Sequence, residues 1–188
     1  LLGHETYTTR GYSLQGVKQN VYSTDNLELS GAIVDGKRST SYMTEYINEG
    51  YFFRAMYEYD GRIFASASYR RDASSRFHPD HRWGNFWSVG AAWLINSEPW
   101  FNAPWVNMLK VKASYGSQGN DQIGNYRYTD TYSVENLEGQ IATTFVSKGN
   151  ENITWETNEN FNAGVEFGFL GNRITGSLEY FSRKTSDM

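Results

Sequence analysis

The chain has 188 residues, enough for one domain with a core, and its 17 basic and 21 acidic side chains give a net charge of −4. It has no cysteine, which excludes a disulfide scaffold, a thiolate metal site and a cysteine nucleophile, and its negative charge does not attract nucleic acid. Aromatic residues make up 16% of the sequence and proline only 3 residues, a mixture that favours strands and turns over helices.

Alternation of apolar and polar residues with a period of two predicts about seven antiparallel strands. Residues 1–5 fit the end of the first strand, and the segment at about 6–47 is predicted to be a large loop. The next two strands, 51–59 and 63–69, are joined by Asp60 and Gly61, a pair typical of tight hairpin turns.

Four more strands follow in the prediction, separated by connections of unequal length. A loop is expected at about 72–83, a compact connector at 97–107, and a second large loop, with room for a small hairpin, at about 117–154. Gly171 and Asn172 predict a tight turn between the last two strands. The strands themselves are expected at 87–95, 109–116, 161–169 and 174–180.

The pattern favours a membrane barrel for three reasons. Short and long connections alternate along the chain, which places short turns at one end of the sheet and long loops at the other. Small residues such as Ala65 and Ala91 lie in the middle of the apolar faces, whereas Tyr and Trp lie toward the strand ends, as in the aromatic girdles of membrane proteins. The opposite face carries charges, which suits a wet lumen but also the solvated face of a soluble sheet. The residues expected to face the lumen are Arg54, Glu58, Arg70, Asp72, Lys110, Lys112, Glu166, Arg173 and Glu179.

A series of motifs across nearly the whole chain resembles the C-terminal barrel of the SusC/RagA family of TonB-linked outer-membrane transporters. The series is specific because the motifs occur in the family's order, although no single one is decisive. The motifs are LLGHE (1–5), YEYDGRIFASASYRRDASSRF (57–77), RWGNFWSVGAAW (82–93), SEPWF (97–101), LKVKASYGSQGN (109–120), NITWE (152–156), NAGVEFGFLGNRITGSLEYF (162–181) and RKTSDM (183–188).

The resemblance implies an all-β fold in which an antiparallel meander forms part of a transmembrane barrel of about 22 strands. About seven strands cannot close such a barrel, so we expect residues 1–188 to be one part of it, with the plug and the N-terminal regions absent from this sequence. The resemblance further implies an outer-membrane location in a Gram-negative bacterium of the Bacteroidota. The implied partners are membrane lipid, a SusD-like lipoprotein lid, TonB acting through the plug, and a glycan or peptide ligand. No enzymatic activity and no cofactor are implied.

The loops supply the candidates for contact with the ligand or the lid, since aromatic rings stack on sugars and amide, carboxylate and guanidinium groups bind hydroxyls. The alternative is that these side chains pack one loop against another. The candidates are Arg76, Trp83, Asn120, Asp121, Tyr126, Tyr128 and Tyr132.

Two functions of other classes compete with the transporter. The Tyr and Trp content also fits a soluble carbohydrate-binding β-sandwich, and an outer-membrane hydrolase barrel is the third hypothesis. Glu166 and Glu179 are expected to face the same side and resemble a glycosidase pair, but no closed pocket is predicted around them. His78 and His81 lack further ligands at suitable spacing, so no metal site is predicted.

Overall fold

The computed structural model describes residues 1–21, 25, 32–35 and 40–187. In the described ranges, two single 3-10 turns, Pro79–His81 and Ile95–Ser97, accompany the strands. No helix in the described part of the chain is long and apolar enough to cross a bilayer. The strands are β1 (Leu2–Gln15), β2 (Lys18–Val21), β3 (Ala32–Asp35), β4 (Thr40–Tyr59), β5 (Ile63–Ser74), β6 (Trp83–Leu94), β7 (Val106–Asn120), β8 (Thr131–Leu137), β9 (Gln140–Ser147), β10 (Glu156–Phe169) and β11 (Ile174–Ser186).

Seven of these strands form one sheet in the order β1-β4-β5-β6-β7-β10-β11. The pairs with a described register are antiparallel, and each strand lies next to the one that precedes it in the meander. The hairpins β2–β3 and β8–β9 are inserted between neighbouring strands and form two small sheets of their own. The all-β antiparallel meander predicted from the sequence is therefore confirmed, and β1 and β11 stand at the two ends of an open strand order.

The chain divides into two compact units, Leu1–Thr6 with Asn48–Met188, and Tyr7–Ile47. The second unit contains most of β1, the β2–β3 pair and the first part of β4. Within it, Arg10 Nε donates a hydrogen bond of 2.6 Å to Glu45 Oε1, and the rings of Tyr7 and Tyr46 meet edge to face with centroids 6.3 Å apart.

The predicted loop at 6–47 was wrong at both of its ends, because β1 continues to Gln15 and β4 already begins at Thr40. These strand extensions are rich in Thr and Tyr, which suit a strand, but they carry no apolar face that an alternation search detects. Residues 22–24, 26–31 and 36–39 of that prediction lie outside the described part of the chain.

The other two predicted loops are also shorter than expected. Strand β5 reaches Ser74 and β6 begins at Trp83, which leaves 75–82 as the connection. Strand β7 runs to Asn120, and the segment before β10 holds the β8–β9 hairpin, for which the sequence left room. In each case, paired strands continue past the point where apolar residues stop, because backbone hydrogen bonds do not depend on side-chain hydropathy.

The register aligns small residues in the middle of one face of the sheet. Ala65, Ala91, Ala113 and Ala163 are cross-strand neighbours on β5, β6, β7 and β10. Aromatic pairs lie on either side of this row: Trp87 with Tyr115 at 5.4 Å toward the long connections, and Trp93 with Trp100 at 6.2 Å toward the short ones. We call this side the apolar face, and its exposed large side chains include Tyr57, Tyr69, Trp87, Val89, Trp93, Val111, Tyr115, Phe161, Leu178 and Tyr180.

The only cluster of buried apolar side chains among the described residues lies away from the apolar face. Phe77, Phe86 and Trp155 form it, with Ile123 and Ile153 packed against them. The sheet therefore exposes its apolar side chains, while a small aromatic core assembles beneath the long connections.

Candidate functional site

Charged side chains on the polar face, the side of the sheet opposite the apolar face, form a continuous network across three strands. Lys112 Nζ on β7 lies 2.7 Å from Glu166 Oε1 on β10 and 2.6 Å from Glu179 Oε1 on β11. Lys110 Nζ reaches the other oxygen of Glu166 at 3.3 Å. The structure thus brings together four residues that alternation placed on one face, in the arrangement of a cross-strand charge ladder.

A second ion pair lies on the polar face closer to the long connections. The Arg70 guanidinium donates to both carboxylate oxygens of buried Asp72, at 2.9 and 3.1 Å, and also to Glu5 of β1. Bidentate pairing of this kind fixes the orientation of both side chains. Arg70 therefore links β1 to β5, and it pairs with Asp72, which alternation places on the same face.

The remaining residues predicted for the polar face are placed differently. Arg54 and Glu58 line a depression of about 670 Å³ together with Lys112 and Glu179. Its floor is made of small residues, among them Gly90. Arg173, in contrast, lies exposed in the turn that precedes β11, so the structure does not bring it into the network.

The loop candidates Arg76 and Asp121 bind each other and tie two connections together. Arg76 Nη1 donates to the backbone oxygen of Asp121 at 3.0 Å and lies 3.4 Å from its carboxylate, while Arg76 Nε donates to Asn125 Oδ1 at 3.1 Å. The hydroxyl of buried Ser74 donates to the other carboxylate oxygen of Asp121 at 2.6 Å. These contacts favour the packing of loop against loop, which the sequence left as the alternative to ligand binding.

Beneath these polar contacts lies the aromatic core, which sequence reasoning missed. The Trp155 ring has its centroid 5.2 Å from both Phe77 and Phe86, and its indole N–H donates to the Arg82 carbonyl at 2.9 Å. A Cβ atom at Gly119 would lie 2.1 Å from the Phe86 ring, so any larger residue there would displace that ring. The single available signal was the occurrence of Phe and Trp within otherwise polar segments.

Tyr128 lines an open groove formed by two connections. Its ring meets His78 edge to face, with centroids 5.9 Å apart, and Asp130, Lys148 and Asn152 line the same groove of about 880 Å³. The other candidates lie around it or beyond it. Asn120 Nδ2 donates to Glu156 at 3.4 Å, Tyr126 has a left-handed backbone with φ of 63°, and Tyr132 lies on the β8–β9 hairpin.

The structure does not place Trp83 with the other candidates. As the first residue of β6 it lies on the apolar face, stacked against Tyr51 at 6.1 Å and beneath the Arg71 guanidinium at 5.1 Å. The assignment of Trp83 to a loop was wrong, because it begins β6 and follows the two-residue alternation of Trp87 and Trp93. Its contact with a ligand or lid stays a prediction.

The charged side chains of the described residues match neither a metal site nor a glycosidase pair. In the described part of the chain no group of three His, Asp or Glu side chains is arranged to hold a metal ion. Glu166 and Glu179 both contact Lys112, so each carboxylate is held by a cation and neither is placed as a protonated acid.

Comparison with known proteins gives one consistent family. A model described as "TonB dependent receptor-like, beta-barrel" matches residues 1–188. The TonB-dependent receptor SusC of Bacteroides thetaiotaomicron is 36% identical over 163 residues, which are 81% of this chain and 16% of that protein. The TonB-dependent receptor P3 of Formosa agariphila is 28% identical over 202 residues, 98% of this chain and 20% of that protein.

Solved structures agree with the sequence relatives. A chain of the RagAB peptide transporter superposes with a TM-score of 0.90 at 29% identity, covering 100% of this chain and 21% of that one. The RagAB peptide importer in the "open-open" state gives 0.88 at the same identity and coverage. The chain therefore spans about a fifth of the length of these proteins, and its whole length fits within one of their chains.

Proposed function

The chain belongs to the TonB dependent receptor-like β-barrel family, and from this premise we propose that it forms part of the wall of an outer-membrane transporter that imports a nutrient. In this proposal the energy comes through TonB, and a SusD-like lipoprotein covers the extracellular side. The cargo is a glycan or a peptide, the latter suggested by the RagAB peptide transporter with which the fold superposes.

The observation that carries the proposal is that the sheet exposes its apolar face, the reverse of the arrangement in a soluble protein. Its large apolar side chains are exposed along a face bounded by aromatic rings at both ends, whereas the opposite face carries ion pairs. In water this arrangement leaves an extended apolar surface without cover, but in a bilayer the middle of the face meets hydrocarbon and the rings meet the headgroups. Outer-membrane lipid is accordingly a proposed partner.

Both alternative functions fit the geometry less well. A β-sandwich would pack its apolar face beneath a second sheet, yet Val89, Val111 and Leu178 remain exposed here. A hydrolase barrel needs one protonated and one ionised carboxyl group in a shared site, and the most favourable pair on the polar face is neutralised by Lys112.

The test is uptake by cells of the natural host. Deleting the gene should abolish growth on one glycan or peptide mixture while leaving growth on glucose and free amino acids unchanged. Disabling TonB should give the same loss, and restoring the gene should reverse the first defect only. Uptake that continues without TonB, or a protein that fractionates as a detergent-free monomer, would contradict the proposal.

A further inference from the structure

Two consecutive arginines of β5 lie on opposite faces of the sheet and differ in their partners. On the polar face, Arg70 binds Asp72 and Glu5. On the apolar face, Arg71 makes no ion pair and donates no side-chain hydrogen bond to any residue in the described ranges. Its guanidinium is exposed, so its N–H groups are available to an acceptor from outside these residues.

The ring of Trp83 positions the Arg71 guanidinium. The Cζ atom of Arg71 lies 5.1 Å from the centroid of the Trp83 ring. Trp83 is stacked against Tyr51 at 6.1 Å, and Tyr51 is stacked against His4 at 4.5 Å, so the ring belongs to a row supported by neighbouring strands. A cation that already lies over an indole ring loses less conformational freedom when it binds a ligand.

A second group of N–H donors lies directly beside Arg71. The register pairs Arg71 with Asn85 of β6, and side chains opposite each other on one face have Cβ atoms about 4.5–5.5 Å apart. Tyr69 Oη donates to Asn85 Oδ1 at 2.7 Å, which fixes the orientation of the amide. The two N–H groups of Asn85 Nδ2 have no acceptor in the described part of the chain. We call Arg71 and Asn85 the donor pair.

The neighbouring carboxylate on this face is bound by other residues. Glu49 accepts a hydrogen bond from Tyr51 Oη at 2.9 Å and lies 3.0 Å from His4 Nε2. The donor pair therefore combines several N–H groups and one positive charge without a bound anion among the described residues. Phosphate suits such a site, because its oxygens match the forked geometry of a guanidinium group and carry the opposite charge.

The depth of the donor pair indicates the source of this phosphate. Arg71 follows Ala65, a member of the row of small residues at the middle of the apolar face, by six positions. Six residues of a strand span about 20 Å, or about 15 Å along the membrane normal at the tilt of about 35–45° found in barrels. Half the height of the apolar band of such a barrel is about 12 Å, which places Arg71 just outside the hydrocarbon, at the level of the headgroups.

Strands added at the edges of the sheet would not reach the donor pair. The strand order is β1-β4-β5-β6-β7-β10-β11, so the rest of a barrel would join at β1 and β11. Neighbouring strands are about 4.8 Å apart, and a strand added beside β1 would lie three positions, or about 14 Å, from β5. The positions beside the donor pair are therefore set by strands that the structure describes.

We propose that Arg71 and Asn85 bind the phosphate of an anionic lipid headgroup in the outer leaflet of the membrane. The leaflet follows from the long connections, which are extracellular in outer-membrane barrels and lie at the same end of the sheet as Arg71. Trp83 and Tyr69 orient the two donors, and the apolar face below them contacts the acyl chains. This ligand rests on the proposed function, because it requires the apolar face to contact lipid.

Lipid binding to the complete transporter tests the donor pair. The delipidated protein in a non-ionic detergent is titrated with phosphatidic acid or with diacylglycerol of the same acyl chains, and the retained lipids are counted by native mass spectrometry. The wild type should bind its first phosphatidic acid at least about tenfold more tightly than its first diacylglycerol, because only the former carries the phosphate.

Variants of the two donors should weaken this binding to different extents. Arg71→Met should lose at least about tenfold in affinity for phosphatidic acid, and Asn85→Leu, which removes neutral donors only, about threefold. Arg71→Lys should recover part of the loss, because an ammonium group keeps the charge without the fork. Arg54→Met removes a cation from the polar face of the neighbouring strand and is the matched control, with affinity within about twofold of the wild type. Equal amounts of the folded variants in the outer membrane would show that none of them prevents folding.

A depth measurement separates failure of the donor pair from failure of the proposed function. Residues 1–188 contain no cysteine, so a spin label can be attached at Ala65→Cys once any cysteine elsewhere in the transporter is replaced. In vesicles of phosphatidylcholine the label should be accessible to oxygen, which dissolves in hydrocarbon, and shielded from a water-soluble nickel chelate. A label exposed to the nickel chelate would overturn the proposed function and the lipid site together.

Three other results would overturn the lipid site alone. With the label at Ala65→Cys in hydrocarbon, unchanged binding of phosphatidic acid by Arg71→Met would show that the donor pair does not bind the headgroup. Displacement of phosphatidic acid by an equal concentration of inorganic phosphate would make it a site for free phosphate, since the acyl chains would then add nothing. A dimer that is lost in Arg71→Met and unaffected by lipid would assign the donor pair to a protein contact.

Discussion

The aromatic rings on the apolar face of the sheet are exposed, whereas those of the aromatic core beneath the long connections are buried. Trp87 and Tyr115 pack edge to face and remain exposed, whereas Phe77, Phe86 and Trp155 are enclosed by protein. Exposed rings of the first kind are favourable where lipid rather than water surrounds them. The rings of the core are already covered by other parts of the chain. One chain therefore contains both an outward-facing apolar surface, as in a membrane protein, and a core covered by protein, as in a soluble one. The two regions meet at the aromatic row near the long connections.

The largest effect that would test this contrast is expected in the core. Phe77→Ala should destabilise the connections by about 3–5 kcal/mol, since it removes a fully buried ring and leaves a cavity beside Trp155. Hydrogen exchange should show faster exchange in 75–82 and 148–155, while the strand amides near Ala91 and Ala113 stay protected.

The control for Phe77→Ala is a ring of the apolar face. Phe161→Ala removes a ring of the same type from an exposed position on β10 and should leave exchange in the connections unchanged. Equal exchange in the connections for both variants would show that the core does not stabilise them as a separate cluster.

The next largest effect is expected on the apolar face, and its size depends on whether that face contacts lipid. Ala113→Lys should destabilise the protein folded in a bilayer by about 2–4 kcal/mol, because Ala113 lies in the row of small residues at the middle of the lipid face, where a charge is costly. Folding into phospholipid vesicles, followed by urea titration, measures the difference from the wild type.

Ser114→Lys is the matched control on the same strand, because Ser114 lines the depression on the polar face. It should cost much less in the same vesicles. If the two lysines were equally tolerated, the apolar face would not be in contact with lipid.

The sequence predicted the parts of this contrast that depend on alternation. Where one face of a strand is apolar, as from Ile63 to Tyr69 or from Leu109 to Tyr115, period two located both the strand and its faces, and it brought Lys110, Lys112, Glu166 and Glu179 to one side. Trp83 was misplaced only because the start of β6 was set too late. With the correct start, the same alternation assigns it to the apolar face.

The core and the loop contacts were beyond the reach of this reasoning. The pairing of Arg76 with Asp121 joins residues separated by 45 positions across two connections, and no periodic pattern relates them. The strands that extend past the apolar face were missed for a related reason, since their pairing rests on backbone hydrogen bonds shared by every sequence. The sequence does contain Gly139, whose left-handed backbone forms the turn of the β8–β9 hairpin. Only the register shows which hairpin side chains share a face.

Arg76 supplies a smaller and more local test of the core region. Arg76→Met keeps the length of the side chain but removes its hydrogen bonds to Asp121 and Asn125, and the lost charge-assisted bonds should cost about 1–3 kcal/mol. Limited proteolysis should then cleave near 121–130 faster than in the wild type, with the strands intact. Arg76→Lys should recover only part of the protection, because an ammonium group cannot reproduce the forked geometry. Full protection in Arg76→Met would show that the aromatic core alone holds the connections.

The smallest effect is expected at Lys112, which compares the polar face with the apolar face. Lys112 is partly exposed and shares Glu166 with Lys110, so Lys112→Met leaves Glu166 one cation but removes the only described partner of Glu179. Exposed ion pairs contribute little to stability and are screened by salt. The urea midpoint in vesicles should therefore shift slightly at low ionic strength and not measurably at high salt. The cost of Ala113→Lys should persist at high salt, because hydrocarbon contains no screening ions. A shift for Lys112→Met that is large and independent of salt would place this network in a dry interior, and would reverse the assignment of the two faces.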